Sequence, residues 1–187
     1  MRVVAGKYKG FILKSPKVKN SRPTDNKVKE AIFDMLFPYK YNFKALDLFA
    51  GTGQMGIEFI SRGANLVYFN EKNSSTYSIL MENLDKISCG NYKVSRLDFK
   101  KALENYRKEG EKFDYIFLDP PYEGDMIKQA INLIIDNELL ADEGIIITES
   151  DRNIDFSEIK TIEKIKEKSY GRKIIKFYIK NESNLSR

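Results

Sequence analysis

The chain has 187 residues and a mass of 21.7 kDa; 42% of them are hydrophobic and 32% charged, the balance of one soluble globular domain with a substantial core. It contains no histidine and a single cysteine, Cys89, which rules out Ser-His-Asp and Cys-His chemistry, His-ligated metals and an intramolecular disulfide, and argues against a cysteine-based zinc cluster; no metal site is expected. No apolar run approaches the length of a membrane span, and residues 1–5 are too few for a signal-peptide core, so a cytoplasmic setting is expected.

The net charge of +5 is unevenly laid out. Residues 1–40 hold ten Lys/Arg against three Asp/Glu, residues 41–155 thirteen against twenty, and residues 156–180 eight against three. Basic ends around an acidic middle imply a polyanion gripped by peripheral elements and an acidic pocket at the centre; the plainer alternative is that lysine is abundant and the runs are solvated faces.

In chain order, residues 2–5 and 11–13 read as a β-hairpin around a Gly-bounded, Lys-rich turn that presents Lys7 and Lys9. A polar connector with Pro16 follows. Pro23, Thr24 and Asp25 then open a helix in which Val28, Ala31, Ile32, Met35 and Leu36 recur at helical spacing, closed by Pro38. From Phe43 onward, apolar strands alternate with amphipathic helices: strands at 44–49, 65–70, 92–96, 113–118 and 144–149, helices at 54–62, 73–87, 99–109 and 124–138. This alternation predicts a doubly wound α/β fold with a mainly parallel sheet and helices on both faces. Two β-rich runs, 159–168 and 172–180, meet at Tyr170 and Gly171 as a closing antiparallel hairpin, which brings the sheet to seven strands. Residues 181–187 form a polar tail.

The first parallel strand runs into Gly51-Thr52-Gly53-Gln54-Met55-Gly56, a G-x-G-x-x-G between a strand and a helix. Glycines there permit a tight turn and let a ligand lie on bare backbone at a helix N-terminus. Glu71 ends the second strand, where a carboxylate can accept hydrogen bonds from both ribose hydroxyls of a nucleoside. Asp47 stands four residues before Gly51. A carboxylate at that point is ill placed for a pyrophosphate but suits a ligand with a cationic amine and a sulfonium, S-adenosylmethionine; a capping role for Asp47 is the alternative.

The fourth strand leads into Asp119-Pro120-Pro121-Tyr122. Consecutive prolines have fixed φ and no N–H, so the loop is stiff and its carbonyls are free to accept. Asp119 and the Pro120 carbonyl can accept both protons of an exocyclic amine while Tyr122 stacks on the base. Such an amine is a poor nucleophile, because its lone pair is delocalised into the ring. Hydrogen bonding localises that density and aims it at the sulfonium methyl, and no strong base is required.

With both motifs in view, the chain resembles the amino-methylating class I S-adenosylmethionine-dependent methyltransferases. Arg2-Val3-Val4-Ala5-Gly6-Lys7-Tyr8-Lys9-Gly10, Arg22-Pro23-Thr24, Val28-Lys29-Glu30-Ala31-Ile32-Phe33 and Ile147-Thr148-Glu149-Ser150 extend the likeness to the RsmD family, bacterial 16S ribosomal RNA guanine-N2 methyltransferases, over essentially residues 1–180. The resemblance implies a Rossmann-like methyltransferase fold, with residues 1–40 as an RNA-binding extension and residues 41–180 as the catalytic domain. It implies a monomer acting on 16S rRNA in the small ribosomal subunit. It places Gly51, Gly53 and Gly56 against the methionine part of the cofactor, Glu71 on the ribose, Asp98 near the adenine amine with Phe99 beside it, and Asp119 and Tyr122 on the target guanine. Relatives often have Phe where Tyr122 stands, and either ring stacks. Asp98 has a helix N-cap as its alternative role. Arg22 binds phosphate or lines the site, and Thr24 does the same or caps its helix. The competing readings are an amino-methyltransferase acting on DNA adenine, DNA cytosine or a protein amide, a non-catalytic RNA-binding module, and a nicotinamide oxidoreductase.

Overall fold

The structure, a computed structural model, describes residues 1–16, 26–121 and 125–181. Arg22, Thr24, Tyr122, the helix start at residues 23–25 and residues 182–187 of the tail lie outside the described residues. The chain divides into two compact units, Met1–Asp98 and Phe99–Arg187. Seven strands make up a mainly parallel sheet, in the order β3-β2-β1 in the first unit and β4-β5-β7-β6 in the second. Among the described residues no helix is long and apolar enough to cross a membrane.

In the first unit, α1 (Asn26–Leu36) precedes β1 (Lys44–Asp47), α2 (Gln54–Ser61), β2 (Leu66–Asn70), α3 (Ser74–Ile87) and β3 (Tyr92–Ser95). Strands β1, β2 and β3 pair in parallel, with Asp47 opposite Phe69 and Asn70 opposite Ser95, so their carboxyl ends share one edge. The strands are apolar because both faces are covered: Leu46, Val67 and Phe69 are fully buried. The N-terminal segment forms the expected hairpin, with an antiparallel bridge of Arg2 to Ile12 and backbone bonds from Val3 N–H to Phe11 O, Gly10 N–H to Val3 O and Leu13 N–H to Met1 O, each 2.9 Å. What fixes it is polar. Val4 N–H donates to Glu58 Oε1 at 2.8 Å, and Lys29 Nζ donates to that same oxygen at 3.0 Å and to the Arg2 carbonyl at 2.7 Å. Arg62 pairs with the other oxygen of Glu58 and lies 4.0 Å from the centre of the Phe33 ring. Lys29 and Glu58 are wholly buried.

In the second unit, α4 (Phe99–Lys108), β4 (Phe113–Leu118), α5 (Met126–Asp136), β5 (Leu140–Ser150), β6 (Ile162–Tyr170) and β7 (Lys173–Lys180) follow in order. Strands β4 and β5 are parallel, and β7 is antiparallel to both β5 and β6. Strand β5 begins four residues before the expected position. Phe113 pairs with Leu140 and Tyr115 with Ile145, so residues 141–143, which fell between the expected helix and strand, are an irregularity within the strand.

Candidate active site

The turn after β1 is held by its own backbone and by two neighbouring side chains. Gly53 N–H donates to Ala50 O at 2.7 Å, and Ala50 N–H to Asn70 O at 2.9 Å. Gly51 N–H donates to Glu71 Oε2 at 2.8 Å, while Glu71 Oε1 accepts from Asn73 N–H at 2.7 Å. The predicted ribose-binding carboxylate thus braces the glycine turn. Burial raises the pKa of Glu71 above the ordinary carboxylate range, against the lowering effect of its two backbone donors.

The three glycines serve different needs. A side chain at Gly51 would meet nothing within 4 Å, so its backbone borders open space. A Cβ at Gly56 would fall 2.0 Å from the Phe69 ring, and one at Gly53, whose φ is +84°, would fall 2.4 Å from Leu80. Gly53 and Gly56 let α2 sit close to β2 and α3, and Gly51 leaves room for a ligand.

Asp47 is buried, and its Oδ2 accepts from Gly56 N–H at 2.9 Å, so it caps the first turn of α2. Burial, and secondarily the charge of Glu71, raise its pKa to about 7, partly offset by the Gly56 hydrogen bond. A buried and a half-buried carboxylate at one strand edge make a site that a cationic group would stabilise. Asp98 directly precedes α4, and its carboxylate pairs with Lys72 at 3.0 Å on the surface. Phe99 begins α4 with its ring buried. The donor set therefore fits S-adenosylmethionine: carboxylates for the amine and ribose, and a bare glycine backbone beside them.

Two asparagines escaped the sequence reading. Asn70 donates to Leu48 O at 3.3 Å and Leu97 O at 3.1 Å, and accepts from Ser95 Oγ at 2.8 Å and Leu97 N–H at 3.2 Å. It fastens the ends of β1 and β3 and the residue before Asp98. Asn83, on the buried face of α3, donates to Thr52 O at 2.9 Å and accepts from Lys14 N–H at 2.7 Å. The available signal was an amide at a position where the 3.6-residue period calls for an apolar side chain.

In the second unit, Asp119 follows β4 half-buried, Pro120 is buried and Pro121 is exposed. Leu118 pairs with Thr148, which brings the Asp119 segment alongside the β5 end, where buried Glu149 pairs with Lys173. Of the predicted RNA-binding residues, Lys7 and Lys9 are exposed. Lys7 N–H and Tyr8 N–H donate to Ser61 O at 2.7 Å and Ser61 Oγ at 3.0 Å. Those lysines therefore sit at the far end of α2 from the glycine turn, about 12 Å along the helix.

Comparison with known proteins gives concordant results. A family model described as "Conserved hypothetical protein 95" matches residues 1–179. A Bacillus subtilis protein named "Putative rRNA methyltransferase YlbH" is 38% identical, with 84% of this chain and 86% of that one aligned. The ribosomal RNA small subunit methyltransferase D of Haemophilus influenzae is 33% identical over 91% of this chain and 89% of its own. Among solved structures, "Putative methyltransferase yhhF from Escherichia coli" superposes with a TM-score of 0.81 at 26% identity, covering 96% of this chain and 97% of that one.

Proposed function

The chain belongs to the RsmD family of methyltransferases, and from that premise we propose that it transfers a methyl group from S-adenosylmethionine to the exocyclic N2 amine of a guanine in 16S ribosomal RNA. The observation that carries the reading is the strand edge of the first unit, where buried Asp47 and half-buried Glu71 flank a glycine turn with open space at Gly51. That edge suits a ligand bearing an amine, a sulfonium and a ribose, and disfavours a pyrophosphate.

S-adenosylmethionine supplies an electrophilic methyl on a sulfonium. Asp47, whose carboxyl has a pKa of about 7, gains its charge most readily beside a cation. Glu71 accepts the ribose hydroxyls, and Asp98 meets the adenine amine with Phe99 beside it. Asp119 and the Pro120 carbonyl accept the two N2 protons, and Tyr122 stacks on the guanine. The N2–methyl bond forms as the sulfur–methyl bond breaks, and one N2 proton then leaves. Lys7, Lys9, Arg22 and Thr24 take RNA phosphates, with residues 1–40 as the RNA-binding extension. The enzyme works as a cytoplasmic monomer on the small ribosomal subunit.

Asp119→Ala tests this assignment. It is expected to lower methyl transfer about 10²–10³-fold, the loss typical of deleting one preorganised hydrogen-bonding group, while S-adenosylhomocysteine binding by calorimetry stays unchanged. Transfer that survives the substitution would overturn the role of Asp119.

A further inference from the structure

The segment between α1 and β1, Phe37-Pro38-Tyr39-Lys40-Tyr41-Asn42-Phe43-Lys44, alternates aromatic rings with lysines and contains no carboxylate. Its middle is rooted in the core. Tyr39 donates its hydroxyl to Phe33 O at 3.0 Å, and its ring centre lies 6.5 Å from that of Phe33 and 6.0 Å from that of Phe43, both of which are buried. From this root two rings project into solvent: Phe37 is 72% exposed and Tyr41 100% exposed. Phe37 stands edge-on to Tyr39, with ring centres 5.8 Å apart and planes at 87°. Asn42 reverses the chain in the left-handed region at φ 58°, which sets Tyr41 at the tip.

Leaving two large rings outside a well-filled core forgoes the burial that a side chain of that size would gain there. A use is the economical explanation, and the chemistry of the segment specifies which. Rings on a stiff base, interleaved with cations and without acids, offer π-faces to bases and positive charge to the phosphates between them. A protein partner would be expected to meet a broader apolar patch.

We propose that the loop from Phe37 to Lys44 is a stacking platform for unpaired nucleotides of the substrate RNA, with Phe37 and Tyr41 as the base-bearing rings and Lys40 and Lys44 as phosphate partners. The proposal rests on the rRNA reading above and deepens it. The loop enters β1 at its amino end, whereas Gly51 follows the carboxyl end. The four residues of β1 between them span about 13 Å. One RNA strand that touches both spans several nucleotides, so the substrate is an extended single-stranded or looped segment.

The chain has no tryptophan, so Tyr41→Trp introduces a unique fluorophore. Titration with unstructured single-stranded RNA is expected to quench it, and a duplex of equal length to quench it far less. Phe37→Ala with Tyr41→Ala should weaken single-stranded RNA binding at least tenfold, whereas Tyr41→Phe, which keeps the ring, should restore it. Unchanged melting temperatures would show that these surface variants fold. Absence of quenching by any RNA would overturn the platform, as would a blue shift that follows protein concentration and needs no RNA, the signature of a second copy. Wild-type methyl transfer, measured in parallel, reports on the rRNA reading separately, because quenching does not depend on turnover.

Discussion

At the scale of single residues, Asp47 bears the clearest physical consequence. Its carboxyl pKa is about 7 in the folded chain against 3.8 for the free group, because burial penalises the charge. The folded state therefore holds the proton more tightly than the unfolded state. The resulting stabilisation is complete below pH 3.8, is lost as pH rises towards 7, and changes no further above it. Asp47→Asn keeps an oxygen for the Gly56 N–H and removes the titration. Measured by denaturant unfolding, the variant should gain stability relative to wild type steadily from pH 4 to pH 7, by up to about 4 kcal/mol, and then hold level. A difference independent of pH would contradict the burial argument. The residue also shows how far sequence goes at this scale. Position relative to Gly51 identified Asp47 and Glu71 as site candidates, but their backbone partners depend on how α2 and α3 return to the strand edge. The same holds for Asn70 and Asn83, whose acceptors lie 22 to 69 residues away in the chain.

At the scale of elements, the alternation of periods was enough to place the strands and helices between residues 44 and 136 close to their observed bounds. It failed where pairing overrides local character. Asp142 and Glu143 are charged, and Glu143 has a φ of 55°, yet the neighbouring strand draws them into β5. The N-terminal hairpin is closed by backbone bonds from Val3 N–H to Phe11 O, Gly10 N–H to Val3 O and Leu13 N–H to Met1 O, and it is docked on the unit by Glu58, Lys29 and Ser61. Lys29 read as one more lysine of a basic segment, and its burial was legible only in three dimensions. Removing one member of a buried charge pair typically costs about 3–5 kcal/mol. Here Arg62 still neutralises Glu58, so Lys29→Met should cost about 3 kcal/mol and lower the melting temperature by about 6–12 °C. The loss should appear as early hydrogen exchange at Val4 and Tyr8. Full protection of those amides in the variant would show that the ion network does not dock the segment.

At the scale of the whole molecule, charge and chemistry are divided among regions. Among the described residues of the N-terminal segment, Arg2, Lys7, Lys9, Lys14 and Lys27 face outward with the rings of Phe37 and Tyr41, whereas Lys29 is buried and the acidic strand edge around Gly51 is partly so. Such a division fits a polyanionic substrate held over a long footprint and a small cationic cofactor held tightly. Composition made the division visible, and the G-x-G-x-x-G and Asp-Pro-Pro-Tyr motifs named its chemistry, but which guanine is addressed depends on RNA shape and is written in no motif of the chain. The most direct test of the central claim is transfer of label from methyl-tritiated S-adenosylmethionine to unmethylated small ribosomal subunits, free 16S RNA and duplex DNA, followed by nucleoside chromatography. Label recovered as N2-methylguanosine from the ribosomal acceptors, and absent from DNA, is the predicted result; label in methyladenine or methylcytosine would contradict it.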